Sequence, residues 1–217
     1  GLCGDAETCF SRPDTPGYLG PARALAAEGS YLDCPGGEPN CGRAPGFPFF
    51  ASLVFRLFGP ENAAALAGAL IPLAVYWAGT VWFDRRTALW GCGFTVLNLT
   101  MIAQAPMLLS DTLFGLVAAL MFGCFGKFHR KSDPRWFVLT LFLAGVGGLI
   151  RPINSVWVLP ALFLIAVRPG LGWKQKLAGG VAGLAAFLLV LLPWMGPSAR
   201  GGRSIRTPAQ CIIRTAR

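Results

Sequence analysis

The chain has 217 residues, of which 54% are hydrophobic and only 13% are charged, and its mean hydropathy is +0.55. Charged residues make up about 25% of an average soluble domain, so this composition excludes an ordinary soluble globular protein. The formal net charge of +9 could suggest nucleic-acid binding. However, the Lys and Arg residues stand in short clusters between apolar blocks, which is the pattern that orients membrane helices.

The first 60 residues form a polar loop that contains most of the acidic residues and four of the seven cysteines. At its end, the apolar stretch "FPFFASLVFRLF" covers twelve residues. As a helix it would reach about 18 Å, which is shorter than the ~30 Å hydrocarbon layer. We therefore expect an amphipathic helix that lies in the membrane interface.

Six apolar blocks follow and predict six membrane spans. The run 136–167 is too long for one crossing and contains the step Arg151-Pro152, so we divide it there into two helices. The resulting bundle covers residues 61–196 and is followed by a tail, 197–217. The predicted spans are residues 62–83, 88–108, 112–126, 136–150, 153–167 and 177–195.

The distribution of Lys and Arg predicts the orientation of this bundle. Three basic connections, 84–87, 127–135 and 168–176, alternate with connections that are poor in basic residues. The positive-inside rule places the three basic connections in the cytoplasm and the loop 1–60 and the tail outside. With both ends outside, the opening loop lacks an upstream anchor, so we expect a further helix before Gly1. His129, in a basic connection, is expected to be solvated.

The predicted span interiors contain almost no ionisable residue, whereas ion-coupled transporters need such groups at mid-membrane depth. Their polar residues are expected to form hydrogen bonds between helices: Asn98, Gln104 and Asn154. Any chemistry therefore belongs on the outer surface, where charged side chains gather: Asp14, Arg43, Asp111 and Arg151.

Two stretches of the opening loop, "RPDTPGYLGPARALAAEGSY" and "RAPGFPFFASLVFRLFG", resemble the first external loop of polyprenyl-phosphate-sugar glycosyltransferases with the GT-C fold. The resemblance is to glycosyltransferase family 39, which includes protein O-mannosyltransferases and the aminoarabinose transferase of lipid A. "AGVGGLIRPINSVWVLPALFLIAV" resembles a later hairpin of the family, and "LLPW" resembles the end of a family span. The likeness runs from about Arg12 to Trp194 and implies that the chain is incomplete at both ends.

The resemblance implies an all-α integral membrane protein, a multi-pass GT-C bundle whose external loop carries short juxtamembrane helices. It also implies transfer of a hexose or pentose from a polyprenyl-phosphate donor to an acceptor on the external face of the plasma (inner) membrane. The acceptor class (protein, glycolipid or polysaccharide) stays open. The expected partners are thus the lipid-linked donor and membrane lipid, and not nucleic acid.

By the same resemblance, Asp14 is the general base of an inverting reaction, and four residues bind substrate: Tyr18, Arg43, Asp111 and Arg151. Each acid and Arg151 also has a purely structural interpretation. Asp14 stands in the turn sequence "PDTPG", Asp111 stands where a helix N-cap belongs in "SDTLFG", and Arg151 could extend to the interface without a partner.

The sequence departs from the family pattern at positions that bear on metal binding. Thr15 stands where many relatives have Glu, and Gly42 stands where some have an acid. No metal ion and no cofactor is therefore predicted.

Cys3, Cys9, Cys34 and Cys41 fall in the loop assigned to the outside, where disulfides persist. Two disulfides are expected, with three possible pairings, and a zinc cluster is the alternative.

Two other functions fit the same sequence. A transporter or flippase of a lipid-linked saccharide would use a similar bundle, because lipid movement does not need charged span interiors. A relative that binds carrier lipid without catalysis would retain the same external residues.

Overall fold

The computed structural model describes residues 16–37, 40, 44–58, 62–104 and 110–200, and this part of the chain contains helices and no β-strand. A 3₁₀ helix, Pro152–Trp157, lies between the seventh and eighth α-helices. The α-helices are α1 (Pro16–Glu28), α2 (Gly46–Phe58), α3 (Asn62–Trp82), α4 (Arg85–Val96), α5 (Leu99–Gln104), α6 (Ser110–Lys131), α7 (Pro134–Ile150), α8 (Val158–Val167) and α9 (Trp173–Arg200).

Two of the described helices, α6 and α9, are long and apolar enough to cross a membrane. Several shorter apolar helices accompany them, including α2 and α7. Large apolar side chains also point away from the protein, for example Trp90 at 70% and Leu189 at 72% exposure. A water-soluble surface rarely exposes so many contiguous apolar side chains, whereas a lipid-facing surface does. These features agree with a membrane-embedded helical protein.

The helix α6 lies at the centre of the packing and contacts both α3 and α7, while α9 packs against α7. Glycines allow the close approach of α3 and α6. A Cβ atom at Gly123 would lie 2.0 Å from Trp77 Cζ3, and one at Gly126 would lie 2.6 Å from Trp82 Nε1. The hydrophobic effect does not drive helices together within a lipid bilayer, so their association depends on van der Waals packing. Small residues at the contact make this close packing possible.

The stretch 88–108, predicted as one span, does not form one continuous helix. Its first helix, α4, ends at Val96, and α5 begins at Leu99. Asn98 Oδ1 accepts hydrogen bonds from the backbone N–H groups of Thr100 (2.9 Å) and Met101 (3.2 Å). The expectation that Asn98 bonds a neighbouring helix is therefore wrong, because its side chain caps the helix that follows it. The side chain of Gln104 lies outside the described part of the chain.

The break at Arg151-Pro152 ends α7, and Arg151 adopts an extended backbone with φ −140° and ψ 113°. That conformation is the usual one for a residue before proline. In the following 3₁₀ helix, Asn154 is buried and donates a hydrogen bond to the carbonyl of Ala144 at 3.0 Å. Asn154 thus joins two helices, as expected from the sequence.

The basic connections meet at one end of the bundle, which we call the basic end. There Arg130 donates a hydrogen bond to the Trp82 carbonyl at 3.1 Å, and Arg168 donates to His129 Nδ1 at 2.8 Å and to the His129 carbonyl. The His129 ring also stacks on Trp82, with centroids 5.7 Å apart. His129 is exposed, as expected for a residue in a basic connection, and it also contacts Trp82 and Arg168. Lys127 joins this end by lying 4.4 Å from the Trp136 ring centroid.

Candidate functional site

The opposite end of the bundle carries an ion pair between Asp111 and Arg151. Asp111 stands in the first turn of α6, and Arg151 directly follows α7. The Arg151 guanidinium Nη2 binds Asp111 Oδ1, and the two side chains are 45% and 40% exposed. Although the side chain is partly exposed, Asp111 Oδ1 itself is buried. The guanidinium carbon lies 5.9 Å from the Phe114 ring centroid.

Helix electrostatics favour the position of each charge. A carboxylate is stabilised near a helix N-terminus, where Asp111 stands, and a cation is stabilised near a helix C-terminus, where Arg151 stands. Because α6 and α7 pack against each other, the start of α6 and the end of α7 come together. The packing of two neighbouring helices therefore presents an acid and a guanidinium side by side at one surface.

A second group of side chains attaches α1 and α2 to the start of α6. Ser110 Oγ donates a hydrogen bond to Tyr18 Oη over 3.4 Å. The Tyr18 ring meets the Phe47 ring edge-on, with centroids 5.4 Å apart, and Phe47 is only 1% exposed. Since Ser110 precedes Asp111 directly, Tyr18 lies close to the ion pair.

Two further contacts fix α1 and α2. Arg56 of α2 donates to the carbonyls of Leu25 (2.8 Å) and Ala26 (3.1 Å) near the end of α1. At the other end of α2, a Cβ atom at Gly46 would lie 2.8 Å from the Leu149 carbonyl oxygen. The glycine of the "PGFP" sequence thus allows α2 to approach the end of α7, next to Arg151.

Residues 42–195 match the model of the dolichyl-phosphate-mannose-protein mannosyltransferase family. The chain belongs to this family. No curated protein and no solved structure matches the chain. The matched segment covers more than half of the chain and includes both Asp111 and Arg151. Family membership identifies the protein, at the level of its general class, as a membrane-embedded glycosyltransferase that uses polyprenyl-phosphate sugars. The match confirms the resemblance seen in the sequence.

The mannosyltransferase-family match begins downstream of Asp14 and Tyr18. Of the five residues predicted for the site, the structure brings three together: Tyr18, Asp111 and Arg151. Asp14 and Arg43 lie outside the described residues. The roles of Asp14 and Arg43 stay predictions. The roles of Tyr18, Asp111 and Arg151 in substrate binding also stay predictions.

The structure revises two details of the site. Asp111 lies within the first turn of α6, so it does not occupy the N-cap position that was its structural alternative. Arg151 has a carboxylate partner, which the sequence did not indicate. Among the described residues, no group of three or more His, Cys, Asp or Glu side chains could hold a metal ion.

The predicted disulfides concern residues that are mostly not described. Cys34 is buried, at 8% exposure. The other three candidates, Cys3, Cys9 and Cys41, lie outside the described part of the chain. The pairing therefore stays a prediction.

Sequence reasoning missed three residues beside the ion pair: Ser110, Thr112 and Phe114. Phe114 follows Asp111 by three residues, so helical spacing alone places both on one face of α6. Thr112 is buried at 4% exposure, and its Oγ1 has no hydrogen-bond partner in the described part of the chain. The bond from Ser110 to Tyr18 joins residues that are far apart in sequence, and no local signal predicts it.

Proposed function

We propose that the protein transfers a sugar from a polyprenyl-phosphate donor to an acceptor on the external face of the membrane, with inversion at the anomeric carbon. The observation that carries this proposal is the family match over residues 42–195. Supporting it, the matched segment contains an acid and a guanidinium in contact at one end of the bundle. The sugar is a hexose or a pentose, and mannose is the first donor to test.

Arg151 is suited to stabilise the departing phosphate. A polyprenyl phosphate is already a fair leaving group, so the reaction needs positive charge near the phosphate more than a strong acid. A guanidinium carries five N–H donors, and the ion pair engages it through Nη2. The side chain is about half exposed, so its remaining donors are accessible to a phosphate. Asp111 then acts as a positioning residue that orients the guanidinium.

Asp14 is the proposed general base. It would take the proton of the acceptor hydroxyl while the acceptor oxygen attacks the anomeric carbon and the bond to the phosphate oxygen breaks. Attack from the face opposite the leaving phosphate inverts the configuration. Asp14 precedes Tyr18 by four residues in the sequence. Tyr18 in turn bonds Ser110, which is adjacent to Asp111.

The proposal includes a six-span GT-C bundle, residues 61–196, between an external loop, 1–60, and an external tail, 197–217. The clustering of basic connections at one end supports this orientation, because such clusters remain in the cytoplasm. A short epitope inserted after Lys131 should react with antibody only in permeabilised cells. Reaction of the antibody in intact cells would show that the orientation is the opposite one and would contradict an external site.

The catalytic test uses the full-length protein reconstituted with labelled polyprenyl-phosphate mannose and membrane extract as acceptor source. Asp14→Asn should abolish transfer while insertion and lipid binding persist. Arg151→Gln should lower transfer about 100-fold, the usual cost of removing one charge-stabilising donor. Arg135→Gln, which removes a cation at the basic end, is the matched control and should retain activity.

Two results would contradict the proposal. Full activity of Asp14→Asn would eliminate this residue as the base. Movement of labelled lipid across vesicles without formation of a glycosidic product would instead indicate a transporter or flippase.

A further inference from the structure

A long apolar groove runs between α3, α4 and α6, far from the ion pair and next to the basic end. It has a volume of about 520 Å³, and residues from all three helices line it, among them Val75, Phe83, Ala88, Gly91 and Phe122. From Val75 to Phe83, eight helical residues extend about 12 Å. Half of a ~30 Å hydrocarbon layer is about 15 Å, so the groove matches the depth of one leaflet.

The groove offers hydrocarbon contact and no hydrogen bond that a polar ligand could use. Its polar side-chain groups are Trp82 Nε1 and Thr87 Oγ1. Trp82 Nε1 donates to the Phe122 carbonyl at 3.0 Å, and Thr87 Oγ1 donates to Asp84 Oδ1 at 2.5 Å. Both groups therefore already have hydrogen-bond partners within the protein. Such apolar walls suit an alkyl chain as the ligand.

The rim of the groove is cationic. Arg85 and Arg86 lie in the chain between Phe83 and Thr87, which both line the groove, so their Cα atoms stand within about 8 Å of a lining residue. Both Arg side chains are exposed. Arg130 lies nearby because its guanidinium binds the Trp82 carbonyl.

The acid at this rim, Asp84, is engaged in capping α4. It accepts hydrogen bonds from the backbone N–H groups of Arg86 and Thr87 and from the Thr87 hydroxyl. Three exposed arginines thus lie beside the groove, and the neighbouring Asp84 carboxylate is engaged as the cap of α4. Basic residues in that position attract anionic lipid headgroups.

We propose that this groove is a binding site for one anionic phospholipid of the leaflet at the basic end, with an acyl chain between α3 and α4 and the phosphate at Arg85 and Arg86. The charge of the rim and the apolar walls together select this occupant over a zwitterionic lipid. The inference depends on the membrane location of the protein and is independent of the proposed glycosyl transfer.

The test is native mass spectrometry of the full-length protein purified with equimolar phosphatidylglycerol and phosphatidylcholine. The wild type should retain one phosphatidylglycerol at least tenfold more often than phosphatidylcholine. The double variant Arg85→Gln/Arg86→Gln should lose most of this preference. Arg135→Gln/Lys174→Gln is the matched control, because it removes two cations from helices that do not line the groove, and it should keep the preference.

A second pair of variants tests the groove itself. A Cβ atom at Gly91 would have only Val75 Cγ1 nearby, at 3.8 Å, whereas one at Gly93 would meet nothing within 4 Å. Gly91→Leu should fill the groove and abolish retention of the lipid, and Gly93→Leu, on the same helix, should not. Should Gly91→Leu fail to fold, the arginine variants still decide the proposal.

Three outcomes would overturn the proposal. Equal retention of the two phospholipids by the wild type would mean ordinary boundary lipid. Equal retention by Gly91→Leu and Gly93→Leu would place the lipid elsewhere. Displacement of phosphatidylglycerol by a short-chain polyprenyl phosphate, in a manner sensitive to Gly91→Leu, would assign the groove to the tail of the sugar carrier.

Discussion

The guanidinium of Arg151, directly after α7, binds the carboxylate of Asp111 in the first turn of α6. Because both side chains are more than a third exposed, water screens the pair, and an exposed ion pair contributes about 0–1 kcal/mol to stability. We therefore propose that the pair serves to orient the guanidinium more than to stabilise the fold.

A double-mutant cycle on this pair separates the two roles. Arg151→Gln should lower sugar transfer about 100-fold, whereas Asp111→Asn should lower it less, because the guanidinium stays present but loses its orientation. The coupling free energy for thermal unfolding should stay below about 1 kcal/mol. A coupling of several kcal/mol would contradict a role in positioning and indicate a structural ion pair.

Tyr18 is expected to stabilise the external helices through its ring more than through its hydroxyl. Tyr18→Phe removes a 3.4 Å hydrogen bond to Ser110 and should change the free energy of unfolding by less than about 1 kcal/mol. Tyr18→Ala also removes the contact with Phe47 and should cost about 2–3 kcal/mol. Thermal unfolding in detergent provides the measurement. Equal costs for both variants would assign the stabilisation to the hydroxyl.

Gly123 is predicted to tolerate no side chain. A Cβ atom there would lie 2.0 Å from Trp77 Cζ3, so Gly123→Ala should displace the indole and destabilise the protein by about 1–3 kcal/mol. Gly93→Ala is the control, since a Cβ atom there meets nothing within 4 Å. That variant should be neutral or stabilise α4 by up to about 1 kcal/mol, the usual difference between Gly and Ala within a helix. Destabilisation by both variants to the same extent would contradict the contact.

Asp84 should make the start of α4 sensitive to acid. Its hydrogen bond from the Thr87 hydroxyl, with further bonds from the Thr87 and Arg86 backbone N–H groups, lowers the pKa of Asp84 below the ordinary value of 3.8. A carboxylate with a lowered pKa in the folded state stabilises above its unfolded pKa, and this contribution disappears as the pH falls through the folded value.

Hydrogen exchange at the first turn of α4 measures this effect. Protection should fall in the wild type as the pH drops below about 4, after correction for the intrinsic exchange rate. Asp84→Asn should show little pH dependence over the same range. A wild type and variant that respond alike to acid would exclude Asp84 as the titrating cap.

The sequence predicted the helices that carry strong local signals. The proline after Arg151 marked the end of α7, and the twelve-residue apolar stretch marked α2. The break at Asn98 was missed because a short polar side chain at the middle of an apolar run looks like an interhelical contact until its backbone partners are known. The same short polar side chains can cap a helix or bond a neighbouring helix. The periodicity of apolar residues does not distinguish these two roles.

For the candidate site, the family resemblance and the external charges singled out Asp111 and Arg151 separately, and their roles in substrate binding stay predictions. Their contact was not predicted, because it depends on how α6 packs against α7. The contacts of the exposed His129 were not predicted for the same reason, since its partners Trp82 and Arg168 come from two other segments.

The attachment of α2 at both of its ends has a mechanical consequence. Arg56 donates a hydrogen bond to the Leu25 carbonyl near the end of α1. Gly46 packs so close to the end of α7 that an added Cβ atom would lie 2.8 Å from the Leu149 carbonyl oxygen. We therefore expect a tilt of α2 to shift Tyr18 and Arg151 together, and we expect the lateral pressure of the surrounding lipids to act on the site through α2. We expect the transfer rate to change with acyl-chain length in reconstituted bilayers, and a constant rate across lengths would show that α2 is rigidly fixed.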